Sequence, residues 1–339
     1  MKFLSCLCFI FLPFFAFAKV HLFILFDAGE TYALKPVIEK LIQEGEEVDV
    51  LALGTAQKLM PEAHTILEVG PAWDRYAPIS EEAFTFYHPD VVILGTASKI
   101  QLQFAEVFQD KATVVAYYDN FNSIESSHYV DLIQEIEPLT DLFLVSSELA
   151  AKSSHAKNIH IVGNPNIEEM IEQIGRVDSI SIKKELGLDL TKPIITYIGG
   201  YDDDYEKAFC LFVEGIKQFP DYQVVVCPHP KTDGSLEKKL LKEACFPGDR
   251  LTSTQAVALA DIVVCHRSTL GIKSLIAGKK VIFVDTLPSQ FSEQWGGFSI
   301  ANSEEFSDAM REEPSQINCS FPRESCSLIL QLLRSYPSS

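Results

Sequence analysis

The segment Val20-His21-Leu22-Phe23-Ile24-Leu25-Phe26-Asp27-Ala28-Gly29-Glu30-Thr31 is an almost unbroken apolar run that ends in an acid and a glycine. The stretch Tyr32–Glu44 follows, with Leu34, Val37, Ile38, Leu41 and Ile42 at helical spacing. A strand that is apolar throughout is buried on both faces, the mark of a parallel sheet covered by helices. The unit recurs on either side. Strand candidates in the first half are Val20–Phe26, Glu47–Leu53, Val91–Leu94, Thr113–Tyr118, Leu142–Val145 and Ile159–Val162, with a further helix over Ser127–Ile136. After a polar segment around Asn166 to Thr191 come strands Ile194–Ile198, Gln223–Cys227, Ile262–Cys265 and Val281–Val284. They alternate with helices over Tyr205–Gln218, Leu236–Glu243, Thr254–Leu259 and Leu270–Ala277.

This order predicts an α/β protein of two Rossmann-like doubly wound domains with a cleft between them, its ligand at the carboxyl ends of the strands. The expected division is a targeting segment over 1–18, a first domain over 19–164, a linker over 165–190 and a second domain over 191–339. The last helix, Ser325–Leu333, is amphipathic enough to return to the first domain. A length of 339 residues suffices for two cores.

The formal charge is −19, from 28 basic and 47 acidic side chains. An acidic chain without a basic patch repels phosphate backbones and anionic membranes, so nucleic acid is excluded as a partner and a small molecule is expected. Lys2, the apolar run Phe3–Phe15 and Ala16-Phe17-Ala18 read as a signal peptide cleaved after Ala18, which implies export to a periplasmic or secreted location. An uncleaved anchor is the alternative, and the only expected membrane contact. Cys6 and Cys8 leave with the signal. Cys210, Cys227, Cys245, Cys265, Cys319 and Cys326 show no CxxC pair or zinc spacing, so no metal site is expected. Cys227 and Cys265 read as small core hydrophobes, and Cys319 with Cys326 as a candidate disulfide.

Four turns carry candidate chemistry. Asp27-Ala28-Gly29-Glu30 offers close backbone approach at Gly29 and two carboxylates, Glu30 serving either the helix dipole or catalysis. Gly199-Gly200 exposes amides suited to phosphate, while Asp202 to Asp204 beside it oppose an anion and read as a helix cap facing water. In Cys227-Pro228-His229-Pro230-Lys231, two prolines fix the backbone around His229, a donor or proton shuttle beside the positive Lys231. In His266-Arg267-Ser268-Thr269, a strand meets a helix start where hydroxyls and amides bind phosphate and Arg267 neutralises it. GxGxxG and GxSxG are both absent, which removes the signatures of dinucleotide binding and of a serine hydrolase.

Taken together, these clusters resemble GT-B-type glycosyltransferases and the related UDP-N-acetylglucosamine 2-epimerases. Gly29-Glu30 with Leu34-Lys35-Pro36-Val37-Ile38 is similar to the epimerase pattern of a Gly-Pro-Glu turn leading into a Pro-Val-Ile helix, without the Arg-Pro that precedes the Glu there. Val162-Gly163-Asn164-Pro165 resembles the hinge that closes the first domain. His229-Pro230 resembles the His-Pro motif of bacterial sialyltransferases and polyol-phosphate transferases, and Ser268-Thr269 with Gly278-Lys279-Lys280-Val281-Ile282 their nucleotide-binding segment. Where the family has a ribose-binding acid, this chain has Lys273-Ser274.

The resemblance implies a glycosyltransferase that uses a nucleotide-sugar as substrate, with no cofactor and no divalent cation. It makes His229 a catalytic residue at the leaving phosphate, Glu30 or Asp27 the base, and Gly29, Gly199, Gly200, Lys231, Arg267, Ser268 and Thr269 the nucleotide and phosphate contacts. A UDP-sugar 2-epimerase on the same framework is one alternative. The other is a non-catalytic exported binding or assembly protein, supported by export away from cytosolic nucleotide sugars and by the replaced ribose acid.

Overall fold

The computed structural model describes residues 19–61, 65–66, 83, 85–201, 203–229, 231–285, 295–313 and 321–336. The signal segment, Asp202, Pro230 and Cys319 therefore lie outside the described residues, and with Cys319 the expected disulfide to Cys326.

The first half forms a seven-stranded parallel sheet in the order β3-β2-β1-β4-β5-β6-β7. Its strands are β1 (Val20–Leu25), β2 (Glu47–Ala52), β3 (Thr65–Ile66), β4 (Val91–Leu94), β5 (Thr113–Tyr118), β6 (Leu142–Val145) and β7 (Ile159–Ile161). The helices between them are α1 (Ala28–Gln43), α2 (Ala56–Leu59), α3 (Lys99–Phe108), α4 (Val130–Ile136) and α5 (Glu148–Ser153). The period of two along β1 divides its side chains: Leu22 and Ile24 enter one core with Phe104 and Phe108, while Phe23 and Leu25 enter another with Leu34 and Val37 of α1. This is the double-sided burial that the apolar runs require.

The polar connection is helical. Gly163 adopts φ +76, Pro165 opens α6 (Pro165–Arg176), and the buried Asn164 caps it by accepting from the Asn166 N–H at 3.1 Å. Polar and charged residues scattered through this stretch give it the look of a linker. Helix α6 nevertheless turns Ile167 into the core of the second half, and α7 (Ser179–Glu185) completes the crossing.

The second half is a five-stranded parallel sheet in the order β12-β11-β10-β8-β9. It is built from β8 (Ile194–Ile198), α8 (Tyr205–Ile216), β9 (Gln223–Cys227), α9 (Ser235–Leu240), α10 (Ser253–Leu259), β10 (Ile262–Cys265), α11 (Thr269–Ile276), β11 (Lys280–Val284), β12 (Phe298–Ile300) and α12 (Ser303–Arg311). Two elements tie the halves together. Phe121, in the loop after β5, enters the second core and meets Trp295 edge to face at 5.6 Å. The last helix, α13 (Ser325–Ser335), returns to the first half, where Ile329, Leu330 and Leu333 join the core beneath α1. Among the described residues no helix is long and apolar enough to cross a membrane.

Candidate active site

Each sheet has one point where the strand order reverses: between β1 and β4 in the first, and between β8 and β10 in the second. Loops diverge there and leave a crevice at the strand ends. All four candidate turns lie at carboxyl ends of strands, after β1, β8, β9 and β10.

In the second half, His229 and Ser268 line the same pocket of about 660 Å³, together with Gly199, Lys238, Thr252 and Ser253. Ser268 caps α11, its Oγ accepting from the Leu270 N–H at 3.2 Å. The Lys231 backbone N–H donates to His229 Nδ1 at 3.1 Å, so the neutral ring carries its proton on Nε2. Tyr201 lies 4.4 Å from the His229 ring, centroid to centroid, and the Lys231 ammonium sits 4.3 Å over the Tyr201 ring.

Gly199 and Gly200 are both buried. A Cβ on Gly199 would meet the His229 backbone nitrogen at 2.7 Å and Pro228 Cα at 2.9 Å, and one on Gly200 would meet the Tyr205 ring at 2.8 Å. Gly199 lets the turns after β8 and β9 approach each other at the pocket, and Gly200 lets the turn pass close to α8.

Ser268 also borders a cleft of about 940 Å³ between the halves, so pocket and cleft adjoin at its side chain. Thr269 and Arg267 line the cleft as well. The Arg267 guanidinium, however, donates to Asp204 Oδ2 at 2.9 Å and lies 3.9 Å from Asp285, so internal carboxylates already hold its charge. Asp204 stands at the cap position of α8 but makes no side-chain cap bond; besides Arg267 it pairs with Nε2 of the buried His266 at 3.0 Å. The expected water-facing cap therefore fails for Asp204, whose carboxylate finds stronger, charge-assisted partners. Among the described residues no group of three His, Cys, Asp or Glu side chains could hold a metal ion.

In the first half, α1 begins at Ala28, four residues earlier than the apolar spacing indicates, because Asp27 caps it and Glu30 enters its first turn. Glu30 is buried. The N–H groups of Phe26 and Asp27 and the Gln101 amide all donate to its Oε1. Burial pushes its carboxyl up to about 8 against these donors, and the nearby Asp119 adds to the rise. Asp119 follows β5 and rests against Gly29, where a Cβ would stand 2.2 Å from Oδ2. Burial, then the charge of Asp27, raises Asp119 to about 6, while Lys273 from the second half pulls it down.

The sequence reading did not single out Asp119. Its one signal is position, as the residue just past a buried strand. Neither cavity is lined by Asp27, Gly29, Glu30 or Asp119, but Tyr118 and Asn120 on either side of Asp119 line the cleft. The exposed Tyr129 links the two walls: burial first, then Asp27, raises its hydroxyl, and Lys231 of the opposite half lowers it.

The sequence matches no protein-family model and none of the curated proteins compared with it. Its fold has clear counterparts among solved structures. The UDP-GlcNAc 2-epimerase of Methanocaldococcus jannaschii superposes with a TM-score of 0.74 at 14% identity, over 94% of this chain and 100% of that one. The UDP-GlcNAc 2-epimerase of Neisseria meningitidis, solved with UDP-GlcNAc, gives 0.70 at 12% identity over 94% and 100%. A glycosyltransferase of Rickettsia africae gives 0.61 at 13% identity over 92% and 89%. At these identities the likeness is one of fold: two Rossmann-like domains in the GT-B arrangement.

Proposed function

We propose that the protein is an enzyme acting on a nucleotide-activated sugar, and that it transfers the glycosyl group to an acceptor. The observation that carries this reading is the convergence of His229 and Ser268 on one pocket that adjoins the interdomain cleft. The nucleotide occupies the pocket. Its phosphates meet His229 Nε2–H, the Ser268 hydroxyl and the first amides of α11, with Thr269 at the helix start.

The sugar projects past Ser268 into the cleft, where the first half presents the acceptor. Asp119, half-buried between the cleft-lining Tyr118 and Asn120 and raised to about 6, takes the hydroxyl proton as the acceptor oxygen bonds to the anomeric carbon. The bond from that carbon to the phosphate oxygen breaks, and its electron pair leaves with the phosphate. Glu30 is too enclosed to reach an acceptor; it orders the turn that carries Asp27 and Gly29. The first 18 residues direct export and are removed after Ala18.

Calorimetric titration with UDP, CDP, CMP, ADP and GDP tests the reading. At least one binds in the micromolar range, and His229→Ala weakens it at least about tenfold, the loss of one charge-assisted hydrogen bond. No binding at millimolar nucleotide overturns it. The likeness of the fold to UDP-GlcNAc 2-epimerases supports a second reading, a 2-epimerase that moves a proton at the sugar ring. Deuterium entering the sugar at C2 from D2O, without an acceptor, selects that reading.

A further inference from the structure

The walls of the interdomain cleft indicate what kind of acceptor enters it, an inference that rests on the transferase reading above. On the first half the cleft is lined by amides and hydroxyls, Asn120, Asn122, Ser126 and Ser127, next to Tyr129. On the second half it is lined by Tyr201, Asp203 and the Asp204–Arg267 pair. Among the described lining residues there is no Leu, Ile, Val, Phe or Met, so a lipid chain finds no apolar track. The charges at its walls balance, Arg267 paired with Asp204 and Lys231, beside Tyr201, offset by Asp203, so a phosphorylated or sulfated acceptor meets no net positive charge. The remaining lining is amides, hydroxyls and the His128 ring, plus the rings of the buried Tyr118 and of Tyr129 and Tyr201.

Tyr129 is 44% exposed and Tyr201 is 53% exposed, so both rings are open to a ligand. They stand on opposite walls of the same cleft. Tyr201 does not swing freely. His229 packs against its ring and Lys231 holds both the ring face and the hydroxyl, the latter at 3.3 Å. An aromatic face is electron-rich, and the C–H groups on one side of a pyranose are its natural complement, while the hydroxyls at the rim suit amides and serines. We propose that the acceptor is a neutral saccharide that stacks on Tyr129 across the cleft from Tyr201, with Asn120, Asn122, Ser126 and Ser127 reading its hydroxyls.

Saturation-transfer NMR and calorimetry on the full chain test this with three sets of probes, each with and without UDP. The sets are neutral tetrasaccharides (cello-, malto-, manno-, xylo- and chitotetraose), a sulfated heparin tetrasaccharide, and farnesyl phosphate. At least one neutral tetrasaccharide binds, and Tyr129→Ala weakens it about tenfold, the loss expected for one stacked ring. Tyr129→Phe, which keeps the ring, retains most of the binding and shows that the alanine variant did not fail merely by misfolding.

The proposal is overturned if no neutral tetrasaccharide binds, if the sulfated or lipid probe binds in preference, or if Tyr129→Ala leaves saccharide binding unchanged. The UDP titration on the same samples separates the two claims. UDP binding without saccharide binding removes this inference and leaves the nucleotide reading standing. Saccharide binding in the absence of any nucleotide binding does the reverse.

Discussion

Replacing Glu30 by glutamine removes a buried carboxyl whose ionisation the folded protein resists. Oε1 remains as the acceptor for the Phe26 and Asp27 N–H groups and the Gln101 amide, so the turn after β1 keeps its hydrogen bonds. The group's pKa rises from 4.5 to about 8 on folding. The folded state therefore binds this proton more tightly than the unfolded chain does. Its contribution to stability is complete below about pH 4.5 and is lost as pH rises through about 8. Between about pH 5 and about pH 9 the loss is on the order of 4 kcal/mol.

Urea unfolding of wild type and Glu30→Gln at about pH 5, 7 and 9 measures it. Asp119, raised to about 6, adds a slope at lower pH in both proteins, so the difference between the two isolates Glu30. The variant is close to wild type at pH 5 and clearly more stable at pH 9. Parallel pH profiles would refute the reasoning, as would a variant destabilised equally at every pH.

Other consequences follow from single contacts. Lys273 pulls the Asp119 carboxyl down across the domain boundary and donates to Asn166 Oδ1 at 2.9 Å, so Lys273→Met moves the Asp119 titration upward; 13C carboxyl shifts that stay put contradict this. Gly163 holds φ +76, and a Cβ there would stand 2.9 Å from the Pro322 carbonyl oxygen, so Gly163→Ala costs about 1–3 kcal/mol, read as a lower urea midpoint. If residues 1–18 are the proposed export signal, N-terminal sequencing of the mature protein begins at Lys19, and an N-terminus at Met1 contradicts the cleavage.

The strands were legible because a sheet buried on both faces writes itself as a continuous apolar run. Ile194–Ile198 and Val91–Leu94 are fully buried and needed no periodicity to be found. Helices whose apolar stripe is thin were missed. Helix α6 turns only Pro165, Ile167 and Met170 inward, and Glu168, Glu169, Glu172 and Arg176 make the stretch read as polar. Strand β12, three residues long, falls below what a pattern can carry.

At the site, the turns with unusual composition, Cys227 to Lys231 and His266 to Thr269, were legible as loops after strands. The partnerships were not. Asp204 with Arg267 and His266, and Asp119 with Asp27 and Lys273, join residues far apart in sequence that have no local signature. Arg267 looked available to a phosphate because nothing near it in sequence reveals that Asp204 and Asp285 share its charge.

A crystal structure of the chain soaked in millimolar UDP would decide where the nucleotide sits. The diphosphate is expected between the His229 ring and the Ser268 cap of α11, with the uridine in the pocket beside Gly199 and Thr252 and the free phosphate end facing the cleft. UDP bound elsewhere on the surface, or a pocket still empty after soaks with UDP, CDP, CMP, ADP and GDP in turn, would contradict a nucleotide-sugar enzyme.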